Sequence, residues 1–332
     1  MPDRSLLVMA QRAYQLAHRA MPEYASKFSK RTFTQPQLLT CLILKAYLRF
    51  TYREMEAWLV ATDRVARVLR LGRAPDHSTL CWFFQHKVDA PLLDRLLRSS
   101  LRPLGQESAR QRVVALDSTG FTAEHCSRYY QWRRGPRRLR GFPKWALAVW
   151  LRPQLICAQR AHAGPCRDFD ELPPLAHAAQ QALPYRRLLG DAGFDSESNH
   201  WYCREWLGVE SIIAPFPRRG CPPRTRWRRL MSQNFPRRLY RQRWKVETVI
   251  SVVKRKFGEA LRARTEPRQY RELLLLGIVY NVYRRARRFF FAVIVSPITP
   301  RSARISTEQV YVCSPSRSQM QTMPAIWCRS SR

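Results

Sequence analysis

The sequence predicts an α/β protein in which a mixed β-sheet is flanked by helices and preceded by an all-helical N-terminal domain. Three observations support this fold class. Residues 1–105 show helical spacing of apolar residues and helix-capping patterns, whereas short β-rich apolar runs begin after residue 111. Three strand patterns come first, and helix and strand patterns then alternate, which is typical of a sheet with antiparallel and parallel strands.

The N-terminal domain carries two capping boxes. Thr34 and Thr51 are each followed three residues later by Gln or Glu, so that each side chain can accept the other's backbone N–H. A third helix is predicted after PDHSTL, with Leu80, Phe83 and Phe84 on its buried side. Short helices on a basic chain fit a helix-turn-helix DNA-binding unit, and they fit equally well a plain bundle for packing or dimerisation.

The second domain, predicted over 106–290, contains five strand patterns and four helix patterns. The strands are predicted at 113–116, 145–150, 154–161, 186–190 and 209–215. The helices are predicted at 170–182, 196–207, about 239–257 and 268–288. This β-β-β-α-β-α-β-α order is that of a ribonuclease H-like sheet. Residues 291–332 have many Ser and Pro and no clear period, so an irregular C-terminal tail is predicted there.

The chain is strongly basic, with 59 Lys and Arg against 24 Asp and Glu and a net charge of +35. Self-repulsion of this size opposes compaction, and a bound polyanion relieves it. The basic residues are spread through globular segments instead of forming one membrane-binding tail. These features favour nucleic acid as the partner, with a plain solvated basic surface as the alternative.

The cysteine pattern indicates a reducing compartment. The nine cysteines are odd in number and form no Cys-x-x-Cys pair, so the sequence predicts neither a disulfide framework nor a structural zinc site. The apolar runs are too short to span a bilayer, and the N-terminus lacks the layout of a signal peptide. We therefore expect a cytoplasmic protein with no membrane partner.

Three acids stand out in this basic chain. Asp117 directly follows the apolar run VVAL and Asp191 directly follows RRLLG, so both are predicted at carboxyl ends of strands, where open α/β sheets bind ligands. Glu247 lies on the predicted long helix, which can bring a third carboxylate to the same edge. Singly, each has an ordinary alternative role as a turn former, helix cap or surface residue.

Converging carboxylates repel one another unless protons or hard divalent cations offset their charge. Carboxylate oxygens favour Mg²⁺ or Mn²⁺, and two such ions about 3.5–4 Å apart can act on both oxygens of a phosphoryl displacement. Nearby acids compete for this role: Asp168, Asp170, Asp195 and Glu197.

The predicted long helix has an ordered polar side. At about 100° per residue, four residues of this helix fall within a sector of about 60° beside an apolar stripe: Tyr240, Arg243, Glu247 and Lys254. This sector predicts an acid flanked by groups that can hold DNA phosphates, and ordinary pairing of charges on a solvated helix is the alternative.

At this point the sequence resembles a known family. YRQRWKVETVISVVKRK resembles the Y-(2)-R-(3)-E-(6)-K signature of DDE transposases from bacterial insertion sequences. VVALDSTGF and LLGDAGFDSESNH resemble the blocks that carry the first and second acids, with Phe194 where Tyr is common. The resemblance extends over about residues 30–288 and is strongest over 111–285.

The resemblance implies a ribonuclease H-like catalytic domain like that of retroviral integrases. It implies that Asp117, Asp191 and Glu247 bind two Mg²⁺ (or Mn²⁺) ions, and that the other three signature residues contact DNA near the cleaved end. It also implies cleavage at the terminal inverted repeats, followed by attack of the freed 3′-hydroxyl on target DNA. The expected partners are transposon-end and target DNA, bound by a homodimer associated with the nucleoid.

Two other functions remain open from the sequence. One is a metal-dependent nuclease without strand transfer. The other is a domesticated or inactive transposase that acts as a DNA-binding protein, although binding alone would favour losing three acids that repel phosphate.

Overall fold

The computed structural model describes residues 2–101, 111–123, 142–216 and 223–295. Its N-terminal part is helical, as predicted. The helices of this part are α1 (Pro2–Ala20), α2 (Gln35–Leu48), α3 (Tyr52–Ala61), α4 (Asp63–Val68), α5 (His77–His86) and α6 (Ala90–Leu101).

A five-stranded mixed sheet forms the centre of the α/β part. The strands are β1 (Val113–Gly120), β3 (Phe142–Trp150), β4 (Leu155–Gly164), β5 (Arg187–Gly190) and β6 (Glu210–Ile213), and a two-stranded sheet joins β2 (Thr122–Ala123) to β7 (Ala260–Leu261). The order is β4-β3-β1-β5-β6, with β1, β3 and β4 antiparallel and β1, β5 and β6 parallel. The predicted ribonuclease H-like arrangement is confirmed.

Helices cover this sheet. They are α7 (Leu172–Ala182), α8 (Glu197–Trp201), α9 (Arg226–Gln233), α10 (Arg237–Tyr240), α11 (Trp244–Phe257) and α12 (Glu266–Val295). A 3₁₀ turn at Asp168–Glu171 precedes α7, and a π-helical turn at Tyr202–Trp206 extends α8.

The local signals of the sequence are confirmed. Both capping boxes form, at Thr34 before α2 and at Thr51 before α3. Leu80, Phe83 and Phe84 are buried as predicted, but α5 begins at His77, inside the PDHSTL segment. The reason is Asp76, whose carboxylate accepts the Thr79 N–H and so caps the helix earlier than expected.

Side-chain alternation gives the sheet two different apolar faces. Ala115 of β1 and Leu189 of β5 belong to a core shared with the N-terminal helices, α11 and α12. Their neighbours Val114 and Leu188 belong to a second core with α7. Because successive side chains point to opposite faces, the position of a residue in its strand decides which helices it meets. The boundary predicted between residues 105 and 106 stays a prediction.

Asn281 fixes α12 to the edge strand β4. It is fully buried, and its amide oxygen accepts the Ile156 N–H at 2.9 Å while its amide nitrogen donates to the Ile156 carbonyl at 2.8 Å. The same nitrogen donates to Ser100 Oγ at 2.9 Å, which adds α6 to the junction.

We expect Asn281→Ala to lower the free energy of unfolding by about 2–3 kcal/mol, because both backbone groups of Ile156 then lose a partner in the core. Urea denaturation measures this change. Gln233→Ala, at an exposed position in α9, is the control and should change stability by less than about 0.5 kcal/mol. An unchanged midpoint for Asn281→Ala would contradict the role of this junction.

Candidate active site

Two neighbouring parallel strands bring Asp117 and Asp191 to the same level of the sheet. The pairing of β1 with β5 ends at Ala115 opposite Leu189, and the same register continued by two residues sets Asp117 opposite Asp191. Successive side chains of a strand point to opposite faces of the sheet, so Asp117 points to the same face as Ala115, and Asp191 to the same face as Leu189. This is the face whose core includes α11. The two strands therefore direct both acids to the helix that carries Glu247.

Asp117 lies inside β1, which corrects the predicted position at a strand's carboxyl end. The predicted strand stopped at Leu116, but β1 continues because β3 pairs with it as far as Gly120 opposite Lys144. Only the parallel pairing with β5 ends before Asp117. The acid is thus held by one antiparallel neighbour and open on the side where Asp191 follows β5.

The Asp117 carboxylate is partly buried, with 16% of its side chain exposed. One oxygen accepts the Ser118 N–H at 2.9 Å, and the other lies 3.5 Å from Nη1 of Arg243. Burial raises the pKa of Asp117 to about 6, and the negative charges of Asp191 and Glu247 add to the shift. The Ser118 N–H and the Arg243 charge oppose it. This position disfavours a bare carboxylate and gains from a nearby cation.

The raised pKa of Asp117 predicts a pH dependence of stability. Since the folded protein holds this proton more tightly than the unfolded chain, the stabilisation is present at about pH 4 and below and is lost as the pH rises through about 6. In EDTA, the wild type should lose about 2 kcal/mol more than Asp117→Asn between about pH 4 and about pH 7. Chemical denaturation across this range measures the difference, and parallel curves would contradict it.

Asp191 directly follows β5 and caps the 3₁₀ turn Ala192–Phe194, where its Oδ1 accepts the Gly193 N–H at 3.0 Å. Burial raises the pKa of Asp191, and the charge of Asp168 adds to this, whereas Arg243 opposes it. A side chain at Gly193 would place Cβ 3.1 Å from Oδ1 of Asp191 and 3.2 Å from Oδ2 of Asp168. The glycine therefore leaves room for two carboxylates.

Helix α11 presents Glu247 on the side next to its buried stripe. Val246, Val249 and Val253 are buried, as predicted, and fix the rotation of the helix. Glu247 is 54% exposed and forms an ion pair with Arg243 one turn earlier.

The predicted continuous helix from about residue 239 is wrong. Helix α10 ends at Tyr240, a 3₁₀ turn covers Arg241–Arg243, and α11 begins at Trp244. Tight 3₁₀ turns are common at helix N-termini, and the sequence pattern does not distinguish them from α-helix. The sector of four residues thus applies to Glu247 and Lys254, whereas Tyr240 and Arg243 precede the α-helix.

Arg243 is the cation that joins the acids. Its Nη2 donates to Glu247, and its Nη1 lies 3.5 Å from Asp117 without a hydrogen bond among the described residues. The guanidinium charge also lowers the pKa of both Asp117 and Asp191, against the effect of burial. One guanidinium therefore contacts Asp117 and Glu247, and its charge also acts on Asp191.

The three acids fit hard divalent cations. The burial of Asp117 and Asp191 and the repulsion among the acids favour a bound positive charge, and Arg243 supplies such a charge beside Asp117 and Glu247. All three offer carboxylate oxygens, the ligands of Mg²⁺ and Mn²⁺. The described residues hold one group of three ligands within 4.8 Å of one another, and these acids are not that group.

An open groove runs beside Asp117 and Glu247. Its other lining residues are Ser118, Thr119, Ile250, Ser251, Lys254 and Arg255. Nζ of Lys254 donates to the Gly120 carbonyl at 2.9 Å and lies 5.3 Å from the centre of the Phe121 ring. The groove thus has an acidic end and a basic end on the same helix.

Tyr240 interacts with the site through the charge of Arg243. Its ring packs on Phe235 with centroids 4.8 Å apart, and burial raises its pKa. The positive charge of Arg243 opposes this shift, and the charges of Asp191 and Glu247 add to it. The tyrosine is absent from the groove lining.

Asp195 and Glu197 have structural partners that exclude them from the site. The Asp195 carboxylate, 1% exposed, accepts hydrogen bonds from Arg228 at 2.9–3.1 Å and from the Phe216 N–H at 2.8 Å. Glu197 accepts the N–H groups of Trp227 and Arg228 at 3.0 and 3.1 Å. Both acids hold α9 in place.

Asp168 stabilises the surroundings of Asp117 through hydrogen bonds from Lys144 and Ser118. Its Oδ1 accepts from Lys144 Nζ at 2.7 Å and from Ser118 Oγ at 2.6 Å, next to Asp117. Lys144 is nearly buried in β3. Lys144 and Ser118 were not predicted from the sequence, where their only signal was a lysine directly before a strand pattern and a serine beside the first acid.

The comparison with protein families decides the identity. A family model described as "Transposase DDE domain" matches residues 108–282, more than half of the chain, and this stretch includes all three acids. The chain belongs to this family. The transposase therefore has the domain to which the sequence resemblance pointed, on the predicted ribonuclease H-like sheet.

A solved structure described as a "Cryo-EM structure of piggyBac transposase synaptic complex with hairpin DNA (SNHP)" aligns with this chain with a TM-score of 0.41 and 10% identity. The alignment covers 86% of this chain and 73% of that chain. No curated protein matches this transposase in sequence. Among the described helices, none is long and apolar enough to cross a membrane.

Proposed function

We propose that this transposase binds the terminal inverted repeats of a bacterial insertion sequence and cuts and joins DNA with two Mg²⁺ or Mn²⁺ ions held by Asp117, Asp191 and Glu247. The observation that carries this proposal is the pairing of Asp117 and Glu247 with one cation, Arg243, whose charge also acts on Asp191, at the end of a groove that also contains Lys254.

Held by Asp117, Asp191 and Glu247, the two ions would activate the attacking hydroxyl and neutralise the leaving oxygen. The protein contributes by fixing the positions of the carboxylates that would bind these ions. Asp117 is fixed by the pairing of β1 with β3, and Asp191 by the turn that it caps. Glu247, on an exposed part of α11, is the ligand with the most freedom to adjust.

Arg243 exchanges partners in this mechanism. Without metal it offsets the charge of Asp117 and Glu247. With these acids held by cations, the guanidinium would be free to bind a DNA phosphate with two parallel hydrogen bonds. Tyr240, packed on Phe235, is assigned to the DNA beside it.

Lys254 is assigned to a phosphate of the DNA strand in the groove. Replacement by Ala should weaken binding to end DNA and lower the slope of log K against log salt by about 1, the effect of one lost phosphate contact. Binding isotherms at several salt concentrations measure the slope.

Lys256→Ala is the matched control for Lys254→Ala. Lys256 carries the same charge on the same helix, but its Nζ lies over the rings of Tyr47 and Tyr283, away from the groove. Its replacement should leave the slope unchanged. Equal effects of the two variants would remove Lys254 from the DNA contact.

Helices within residues 1–105 are assigned to DNA binding or dimerisation. Joining two transposon ends requires two active sites on one DNA complex, so we propose a homodimer there, located on the nucleoid through its DNA. The net charge of +35 supports a DNA partner.

A strand-transfer assay tests this function against that of a plain nuclease. A duplex with a pre-cut repeat end and a free 3′-hydroxyl is incubated with supercoiled plasmid and Mg²⁺. The proposal predicts that labelled end DNA becomes joined to the plasmid. Cutting of intact ends without joining would identify a nuclease instead.

A further inference from the structure

We propose that His162, Cys166 and Glu171 form a second metal site, a tetrahedral site for Zn²⁺ or a similar transition metal, separate from the three acids. His162 lies in β4, Cys166 follows this strand, and Glu171 ends the 3₁₀ turn before α7. In the part of the chain that the structure describes, these residues alone bring three His, Cys or carboxylate ligand atoms within 4.8 Å of one another.

The spacing of the three ligand atoms suits a tetrahedral ion. His162 Nε2 lies 3.0 Å from Glu171 Oε1, and Cys166 Sγ lies 3.8 Å from each of these atoms. Zinc bonds of about 2.0–2.3 Å at tetrahedral angles separate the ligand atoms by about 3.3–3.6 Å. Shifts of a few tenths of an ångström would complete the site, with the fourth position open to water.

The histidine has the tautomer that a metal requires. Its Nδ1 lies 3.0 Å from the Ala163 carbonyl, an acceptor, so Nδ1 carries the proton and Nε2 presents its lone pair to Glu171. Nε2 and the carboxylate then face each other as two acceptors at 3.0 Å, an arrangement that needs a proton or a cation between them. A metal-ligating histidine commonly donates its other N–H to a carbonyl in this way.

The Glu171 carboxylate is also held in an orientation that suits a metal. The Glu171 side chain is only 9% exposed, and its Oε2 accepts from Arg160 Nε at 3.1 Å, which leaves Oε1 directed at His162 and Cys166. One thiolate and one carboxylate neutralise a divalent ion. Lys144 Nζ, 3.4 Å from Sγ, is itself paired with Asp168.

The ligand set selects the metal. A thiolate with an imidazole favours Zn²⁺ over Mg²⁺, which is bound by oxygen ligands. Cys166 is open to solvent, whereas Cys41, Cys157 and Cys203 are buried and burial raises the pKa of each to about 12. Among the described cysteines, Cys166 is therefore the thiol best suited to metal.

A metal bound at this site would fix the loop that follows β4, which is connected by hydrogen bonds to the proposed active site. The Cys166 carbonyl accepts from Lys144 Nζ, which also donates to Asp168, and Asp168 accepts from Ser118 beside Asp117. A metal between β4 and the 3₁₀ turn would hold this chain of contacts without taking part in DNA cleavage.

The test uses Co²⁺ as the probe with full-length protein stripped by a chelator. We expect one Co²⁺ per chain with intense visible absorption typical of tetrahedral sites and a thiolate-to-cobalt charge-transfer band, both lost when Zn²⁺ is added. Cys166→Ser should remove the charge-transfer band, and His162→Gln or Glu171→Gln should raise the Zn²⁺ dissociation constant at least about tenfold. Zn²⁺ should also raise the unfolding temperature of the wild type, and raise that of the three site variants less.

Two controls separate this site from the others. Cys81→Ser, at a partly buried cysteine on α5, and Glu247→Gln, in the proposed active site, should both keep the band. A wild type without the band, or a band that survives Cys166→Ser, would overturn the proposal. Because Cys166 is exposed, Cys166→Ser should fold normally. If its melting curve shows otherwise, loss of tetrahedral cobalt absorption in folded His162→Gln decides the question.

Discussion

Asp117→Asn is expected to slow DNA cleavage on the order of a thousandfold while leaving binding of end DNA intact. The amide keeps the size of the side chain but loses the charge that holds the cations, which contribute several kcal/mol to transition-state stabilisation. Because burial already disfavours the charged carboxylate, the neutral amide should fit the fold at least as well. Single-turnover cleavage and a binding isotherm on the same labelled duplex measure the two effects.

Asp170→Asn is the control for this experiment. Asp170 is an exposed acid in the 3₁₀ turn before α7, and its replacement by Asn removes the same charge from the same region of the protein. It should cut at a rate close to that of the wild type. Cleavage by Asp117→Asn at a comparable rate would sink the assignment of Asp117 as a metal ligand.

Arg228→Met is expected to lower the free energy of unfolding by about 3–5 kcal/mol, the cost of leaving a buried charge without its partner. Asp195 is 1% exposed, and Arg228 provides three of its hydrogen bonds. Adding Asp195→Asn should restore part of the loss, because the unpaired charge is then gone. Urea denaturation of the single and double variants measures both steps.

Arg226→Met, in the same helix, is the matched control. Arg226 is 74% exposed and lies 3.6 Å from Glu205, a surface pair whose loss should cost less than about 1 kcal/mol. If Arg228→Met were as stable as the wild type, Asp195 would return as a candidate metal ligand in the second acid block.

The parts of the fold that could be predicted depend on local chemistry. The capping boxes at Thr34 and Thr51 form because each is completed within four residues. The strand and helix order follows from periodicity, so the sheet was predictable although its strand ends were not. β1 runs past Asp117 because β3 pairs with it, and no pattern within β1 records that partner.

The surroundings of the acids depend on contacts between distant parts of the chain. The pairing of Asp195 with Arg228 joins residues 33 positions apart, and Asp168 with Ser118 joins residues 50 apart. Four acids near Asp191 looked alike in sequence, and only these partners distinguish Asp191 from the structural acids. The proposed ligands His162, Cys166 and Glu171 are close in sequence, but they lack a Cys-x-x-Cys spacing and gave no sequence signal.

The proposed function requires metal-dependent cleavage at the element's own end by Asp117, Asp191 and Glu247. The most direct measurement is cleavage of a labelled duplex ending in that terminal repeat, with Mg²⁺, Mn²⁺, Ca²⁺ or EDTA, by the wild type and by Glu247→Gln. We predict cutting at the repeat end with Mg²⁺ or Mn²⁺ alone, lost in Glu247→Gln. Tight binding without cutting in any metal would contradict this account and identify a DNA-binding derivative of a transposase.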